Sequence, residues 1–506
     1  MTIPDHWAFS TVGQLFDVLG GGTPSTEEKS FWDGDVPWVT SADIDDSFNL
    51  EPRRAVSRKG LENSPAKAVP KNSIIVVTRV GLGKVGIVRH KQMSFSQDCQ
   101  ALPPVEGLDS RFVAYQMKFI ALSFAHKARG TTISGITKNQ LEAAPFHLAP
   151  EPEQSRIADS IGECLADVDV AIAALNKVRI KLQHYRLAVL KAALRGKLTA
   201  SWRKKNASGE SGSALVDRIL VARKSRWESA NNRKFKEQQQ DPPKNWRSKY
   251  KEPVAIDTSK LAPLPATWCW SNFGRCFEIH GGATPSRDNA RYWKGKIPWV
   301  ASGEVQFCRI GETREKISSE GLAASSTQLN PKGSVMLNMI GEGKTRGKAG
   351  ILEIDACNNQ NCAAIWVSQT PIQPEYIYAW LLFRYEETRQ LGAGNNQSAM
   401  NKGIVEAIPF PVPPPGEQDA IVDLLEGQLS TLDHVEAEIA SKLLSAETLK
   451  LSVLRAAFSG RLTPLNPKDE SASKLLERIL ASKHKPPRPS VKGVKRREKE
   501  VRVAGR

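Results

Sequence analysis

The chain has 506 residues, 40% of them apolar and 25% charged, the balance of a soluble globular protein with room for roughly three to four domains. Its longest apolar runs, such as Ile74-Ile75-Val76-Val77, are far too short to span a bilayer. Lys and Arg exceed Asp and Glu by 71 to 54, a net +17, which points to a polyanionic partner.

The opening "MTIPDHWAFS" has no basic n-region and no apolar h-region, so no signal peptide is expected and a cytoplasmic location follows. The seven cysteines, odd in number and without a C-x-x-C pair, read as reduced thiols. Cys357 and Cys362 are the closest pair, and no histidines near them complete a zinc set. Residues 1–150 mix apolar runs such as "SIIVVTRV" with Gly/Pro turns and one helical stretch, "RFVAYQMKFIALSFAHKA". That is the pattern of a mixed α/β domain. At 151–196, after the proline-bearing "APEPEQ", apolar residues recur at Ile157, Ile161, Leu165, Val168, Ile172, Leu175, Leu182 and Val189. The spacing predicts one long amphipathic helix of about 42 residues, stopped by Gly196 and so about 63 Å long at 1.5 Å per residue.

Residues 197–262 follow as a basic linker. Between Trp202 and Lys251 there are 14 basic and 5 acidic residues. From residue 263 the chain is written again. "LPATWCWSNFGRCF" repeats "IPDHWAFSTVGQLF", "GATPS" repeats "GGTPS", and "YWKGKIPWV" repeats "FWDGDVPWV". "IPFPVPPPGEQ" falls on "APFHLAPEPEQ", and "LSVLRAAFSGRLT" on "LAVLKAALRGKLT". This is an internal duplication. It predicts a second domain at 263–414 and a second long helix at 415–460. The second stripe falls at Ile421, Leu425, Leu432, Val435, Ile439, Leu443, Leu449 and Val453, before Gly460. Neither stripe can be buried by its own helix, and the equal lengths favour antiparallel pairing in a pseudo-two-fold arrangement. The segment 461–506 ends in a tail with 10 basic and 2 acidic residues from Lys483 onward. Linker and tail together carry the whole charge excess.

Catalytic leads do not survive the repeat. "NMIGEGKTRG" contains the Gly-Lys-Thr ending of a phosphate-binding loop, but Asn338 stands where glycine is required. Its counterpart, "TRVGLGKVGIV", has Val85 in place of the hydroxyl. Both read as strand–turn–strand with glycines at positive φ, and neither feeds a helix as a phosphate loop must. "DPPK" (241–244) departs from the D-P-P-[YF] of adenine methyltransferases, because Lys244 cannot stack on a flipped base. Asp17 with Glu27-Glu28-Lys29 imitates a nuclease carboxylate set, but the second copy has Asp288-Asn289-Ala290 there. The eight histidines fall singly. No active site and no metal site is expected.

The order and spacing of "IPDHWAFSTVG" and "LPATWCW", "GGTPS" and "GATPS", "VPWV" and "IPWV", "PEPEQSRIADSI" and "PPGEQDAIVDLL", and "ALRGKLT" and "AFSGRLT" resemble the specificity subunit of type I restriction–modification enzymes. The resemblance covers roughly 1–480; the long basic linker departs from it. It implies two homologous mixed α/β target-recognition domains joined by two long helices paired as an antiparallel coiled coil. It further implies a non-catalytic subunit that reads a bipartite, asymmetric double-stranded DNA site. Two modification (methyltransferase) subunits and the restriction (translocase and nuclease) subunits would be its partners. S-adenosylmethionine, ATP and Mg would belong to those partners, with no cofactor on this chain. The competing reading is a coiled-coil scaffold with duplicated protein-binding domains. A third, a fragment of a fused restriction–methylation enzyme, lacks methylase motifs.

DNA reading calls for polar and basic side chains on exposed loops. Candidates are Thr23, Ser25, Thr284, Ser286 and Arg287 in the Thr-Pro-Ser loops. The glycine turns offer Arg79, Lys84, Lys344, Arg346 and Lys348. The polar loops before the long helices offer Thr131, Thr132 and Lys138, and Asn395, Asn396, Gln397 and Lys402. Trp38 and Trp299, inside Pro-Trp-Val, are expected in the core rather than stacked on bases.

Overall fold

In a computed structural model the chain is described over residues 3–128, 135–206, 209–341, 345–391 and 399–483. It divides into two compact units, residues 1–176 with 440–506, and residues 177–439. Each unit holds one domain, part of each long helix and an accessory helix.

The duplicated motifs meet at one buried carboxylate in each unit. The long helices run Glu151–Leu194 and Pro415–Ala457, with Glu153 and Glu417 in their first turns. A carboxylate there faces the positive end of the helix dipole. In the second unit Glu417 is fully buried and accepts from the Trp268 indole at 2.8 Å and the Thr199 hydroxyl at 2.6 Å, and pairs with Arg203. In the first unit Glu153 accepts from the Trp7 indole at 3.2 Å and the Thr463 hydroxyl at 3.3 Å, with His6 at 3.0 Å. The Trp, Glu-Gln and Gly-basic-Leu-Thr signatures are thus three walls of one junction. Each helix ends on a glycine in the left-handed region, Gly196 at φ +67° and Gly460 at +69°. Lys197 N–H returns to the Ala192 carbonyl at 2.8 Å and Arg461 N–H to Ala456 at 3.0 Å, closing the last turn.

Within each unit the two helix halves run antiparallel. Thr199 meets Glu417 while Arg186 pairs with Asp433, so numbers fall on one helix as they rise on the other. In the first unit Thr463 meets Glu153 and Lys450 pairs with Asp169 at 2.7 Å. Ile157, Ile161, Val168 and Val189 are buried on one stripe, and Ile421, Leu425, Leu432 and Ile439 on the other. Leu449 departs from the expected seam and is 51% exposed; the half-buried neighbour Lys450 takes the inward position by reaching Asp169.

The first domain contains two four-stranded sheets. In one, Leu19–Gly20, Cys99–Leu102, Ile74–Val77 and Val85–Ile87 lie side by side, antiparallel, with Ile75 opposite Ala101 and Gly86. Helix Ser110–Ala128 covers it through Phe112, Val113, Met117 and Ile120. In the other, Trp32–Val39 runs between Arg54–Val56 and a parallel Gln92–Phe95, which in turn pairs with Ala68–Pro70. The second domain repeats the plan with redistributed strands. Ile279–Gly281, Cys362–Ile365, Val335–Asn338, Ala349–Leu352 and Cys308–Ile310 form five, and Glu315–Ile317, Trp293–Val300 and Cys357–Asn358 form three. Helix Pro374–Phe383 covers the larger sheet.

Part of the segment read as a basic linker is folded. Residues Gly212–Glu237 form a helix whose Leu215, Val216 and Ile219 join the core of the second unit. Its shorter counterpart Ala472–Lys483 places Leu475 and Ile479 in the first.

Candidate nucleic-acid interface

Four segments far apart in sequence are tied together by backbone bonds at the same place in each domain. In the first, Gly22 N–H bonds the Phe95 carbonyl at 3.0 Å and Thr78 N–H bonds Asp98 at 2.9 Å. Ile136 N–H then bonds the Thr78 carbonyl at 2.7 Å. In the second, Ala283 bonds Asn358 at 3.0 Å, Met339 bonds Asn361 at 2.8 Å, and Met400 bonds Met339 at 3.0 Å. The Thr-Pro-Ser loop, the 96–98 turn, the glycine turn and the entry to the next helix therefore form one surface, built twice.

Tryptophan pairs hold the Thr-Pro-Ser loops. Trp32 and Trp38 meet edge-to-face with centroids 5.2 Å apart, as do Trp293 and Trp299. The indole N–H of Trp38 donates to the Gly22 carbonyl at 3.1 Å and that of Trp32 to Ser25 at 2.9 Å. Trp299 and Trp293 do the same for Ala283 at 3.0 Å and Ser286 at 3.1 Å. Trp38 and Trp299 are core residues, as expected, 6% and 2% exposed. The glycine turns join antiparallel strands, with Gly81, Gly83, Gly341 and Gly347 all at positive φ. They are hairpin connections, wider than the tight turn implied by the sequence.

Residues 4–181 and 265–443 match the family described as the type I restriction modification DNA specificity domain. The chain belongs to that family. It is 24% identical over 505 residues to the type I restriction enzyme EcoDI specificity subunit of Escherichia coli, covering 95% of this chain and 96% of that one. It is 22% identical over 529 residues to the StySPI specificity subunit of Salmonella potsdam, with the same coverage. The fold resembles, with a TM-score of 0.61 and 15% identity, a chain solved in work on complex assembly and conformational transition of the type I R-M system. That likeness covers 91% of this chain and all of the other. Two copies of the specificity domain thus account for the duplication.

In this specificity subunit the candidate side chains fall into distinct states. Thr23 donates to the Gln97 amide oxygen, and Thr284 to Gln360 at 2.6 Å. Ser25, Ser286, Arg79 and the helix-opening Lys138 and Lys402 are exposed. Lys138 and Lys402 lie 3.5 and 3.7 Å from Glu142 and Glu406, one turn on. Lys84 donates to the Ser41 carbonyl at 3.3 Å, and Lys348 to the Gln306 amide. Arg346 is half-buried, with no partner for Nε among the described residues. Arg287 forks onto Glu315, with one bond at 2.9 Å, and stacks 3.7 Å over Trp293. That pair holds the Glu315 carboxyl below the usual carboxylate range and the guanidinium above its own. Thr131, Thr132, Lys344, Asn395, Asn396 and Gln397 lie outside the described residues.

Sequence reasoning passed over Gln97, Gln360 and Arg54. Gln97 and Gln360 are exposed, each two residues before a buried strand cysteine, and the shared Gln-x-Cys was legible in the repeat. Arg54 stacks 3.9 Å over Trp32, the ring matching the one that Arg287 covers in the second copy. The cation comes from a strand in one domain and from a loop in the other, an exchange without a signal in either segment alone.

Proposed function

We propose that this chain is the non-catalytic DNA reader of a type I restriction–modification complex, recognising a bipartite, asymmetric site. Each domain reads one half-site through its four-segment surface. The carrying observation is that surface: the same backbone frame built twice, with different polar side chains on it. A shared frame sets a common approach to the duplex, and side chains that differ between copies read different bases.

The paired helices hold the two half-sites at a fixed spacing and dock two modification subunits. Val170 and Leu444 on the helix halves of the first unit, and Ile180 and Leu187 on those of the second, are exposed and leave apolar side chains for a docking subunit to cover. Restriction subunits then join. The chain itself binds no cofactor in this reading; S-adenosylmethionine, ATP and Mg serve the partner subunits, and the assembly works in the cytoplasm.

The test is base-resolution adenine-methylation mapping in cells carrying this chain with its modification subunit, against cells lacking only this chain. A bipartite methylated motif that disappears with the chain is expected. An active methylase with no chain-dependent motif would refute the proposal.

A further inference from the structure

The basic segment that the family resemblance leaves unexplained builds a cleft. Helix Gly212–Glu237 reaches Arg223, which donates to the Gly274 carbonyl, just as Lys483 at the end of the matching helix donates to Gly13 at 3.0 Å. The helix then continues, turns at Gln239 with φ +51°, and the chain folds back along it. Trp227 stacks on Trp246 at 5.5 Å and meets Tyr250 at 5.3 Å, while Phe235 meets Trp246 at 5.6 Å. Trp227 and Tyr250 of this aromatic clasp line one wall of a cleft of about 570 Å³; strand Ile279–Gly281 and helix Lys402–Glu406 line the other.

The lining is charged in one direction. Arg223, Arg226, Lys249, Lys251 and Lys402 face two carboxylates, Glu278 and Glu406. Glu406 is already beside Lys402 at 3.7 Å. Glu278 lies 3.6 Å from His280 and 3.8 Å from Arg226, too far to satisfy either by a hydrogen bond. Lys249 and Lys251 have no carboxylate partner among the described residues. Among the described residues, Arg226 Nε, Tyr250 Oη and His280 Nε2 are buried without hydrogen-bond partners. Exposed lysines and an excess of positive charge around an open cleft are what a phosphate oxygen satisfies.

The position says which phosphate. His280 lies four residues before Thr284 in the Thr-Pro-Ser loop, and Lys402 opens the helix that follows Met400, itself bonded to the glycine turn. We infer that this cleft grips a backbone phosphate of the DNA just beyond the second half-site, extending the footprint of that domain without reading bases. The inference rests on the DNA-reading function proposed above.

It is tested on the full complex with the site found by methylation mapping. One duplex ends flush with the second half-site and another continues past it. The variant is Lys249→Gln with Lys251→Gln, two exposed side chains outside the aromatic clasp. On the longer duplex the slope of log affinity against log salt should become shallower by about 1 to 2, near 0.9 per lost phosphate contact. On the flush duplex variant and wild type should coincide, and the methylated motif should not change. Equal slopes on the longer duplex would overturn the inference. So would inorganic phosphate, at constant ionic strength, lowering affinity for both duplexes alike, which would mark a small-anion site. Weaker association with the modification subunits at unchanged DNA affinity would overturn it in favour of an acidic protein surface. Wild-type failure to bind either duplex would instead sink the reading function itself.

Discussion

His147 shows what burial does to a single ionisable group. Its Nδ1–H donates to the Phe458 carbonyl at 2.7 Å, where the second long helix ends, and burial lowers its pKa below the ordinary histidine value. A carbonyl only accepts, so a proton sits on Nδ1, and burial favours the neutral form of the ring. The unfolded chain binds a proton more readily, so this contribution is complete above about pH 6.5 and is lost as pH falls through the lower folded value. Denaturation midpoints between pH 7.5 and 5 should fall for the wild type and fall less for His147→Gln. Arg203 is the harsher case. Arg203→Met leaves Glu417 fully buried with only the Trp268 and Thr199 donors. A loss of about 3–5 kcal/mol is expected, because an uncompensated buried charge costs far more than an intact pair contributes. Urea denaturation of the full chain measures it; a loss under about 1 kcal/mol would show that the two neutral donors suffice. At the proposed interface, Gln97→Ala should relax one position of the first half-site by about 1–3 kcal/mol and leave the second untouched, with Gln360→Ala doing the reverse. Motif mapping of each variant reads this out.

At the scale of elements, the long helices were legible to within a few residues. A stripe repeating at three and four, a proline and glutamate at the start, and a glycine at the end are all local signals. Leu449 was misplaced because a periodic pattern weighs every apolar residue alike, whereas the seam is settled by the partner helix and by the Lys450–Asp169 pair. The accessory helix at Gly212–Glu237 was missed in a segment read by charge. Only three of its large apolar side chains, Leu215, Val216 and Ile219, are buried, too few to stand out among so many basic residues. If the paired helices act as a ruler, inserting one heptad in one of them should lengthen the gap in the methylated motif and leave both half-sites unchanged. An altered half-site at constant gap would refute the ruler.

At the scale of the whole molecule, the chain by itself determined the duplication, the alternation of domain and helix, and the points where the helices stop. It also carried the strand–turn–strand character of the glycine segments. These follow from periodicity, turn chemistry and the left-handed backbone that glycine adopts, all of which act over a few residues. Tertiary structure alone decided which loops meet, because Gly22 bonds Phe95, Thr78 bonds Asp98 and Ile136 bonds Thr78, all pairs far apart along the chain. It also decided that Arg54 in one copy and Arg287 in the other cover the same tryptophan, and that Glu417 is walled by Trp268, Thr199 and Arg203. The basic segment became a cleft rather than a tether for the same reason. Burial and charge pairing depend on neighbours brought from far along the chain, and no local pattern encodes them.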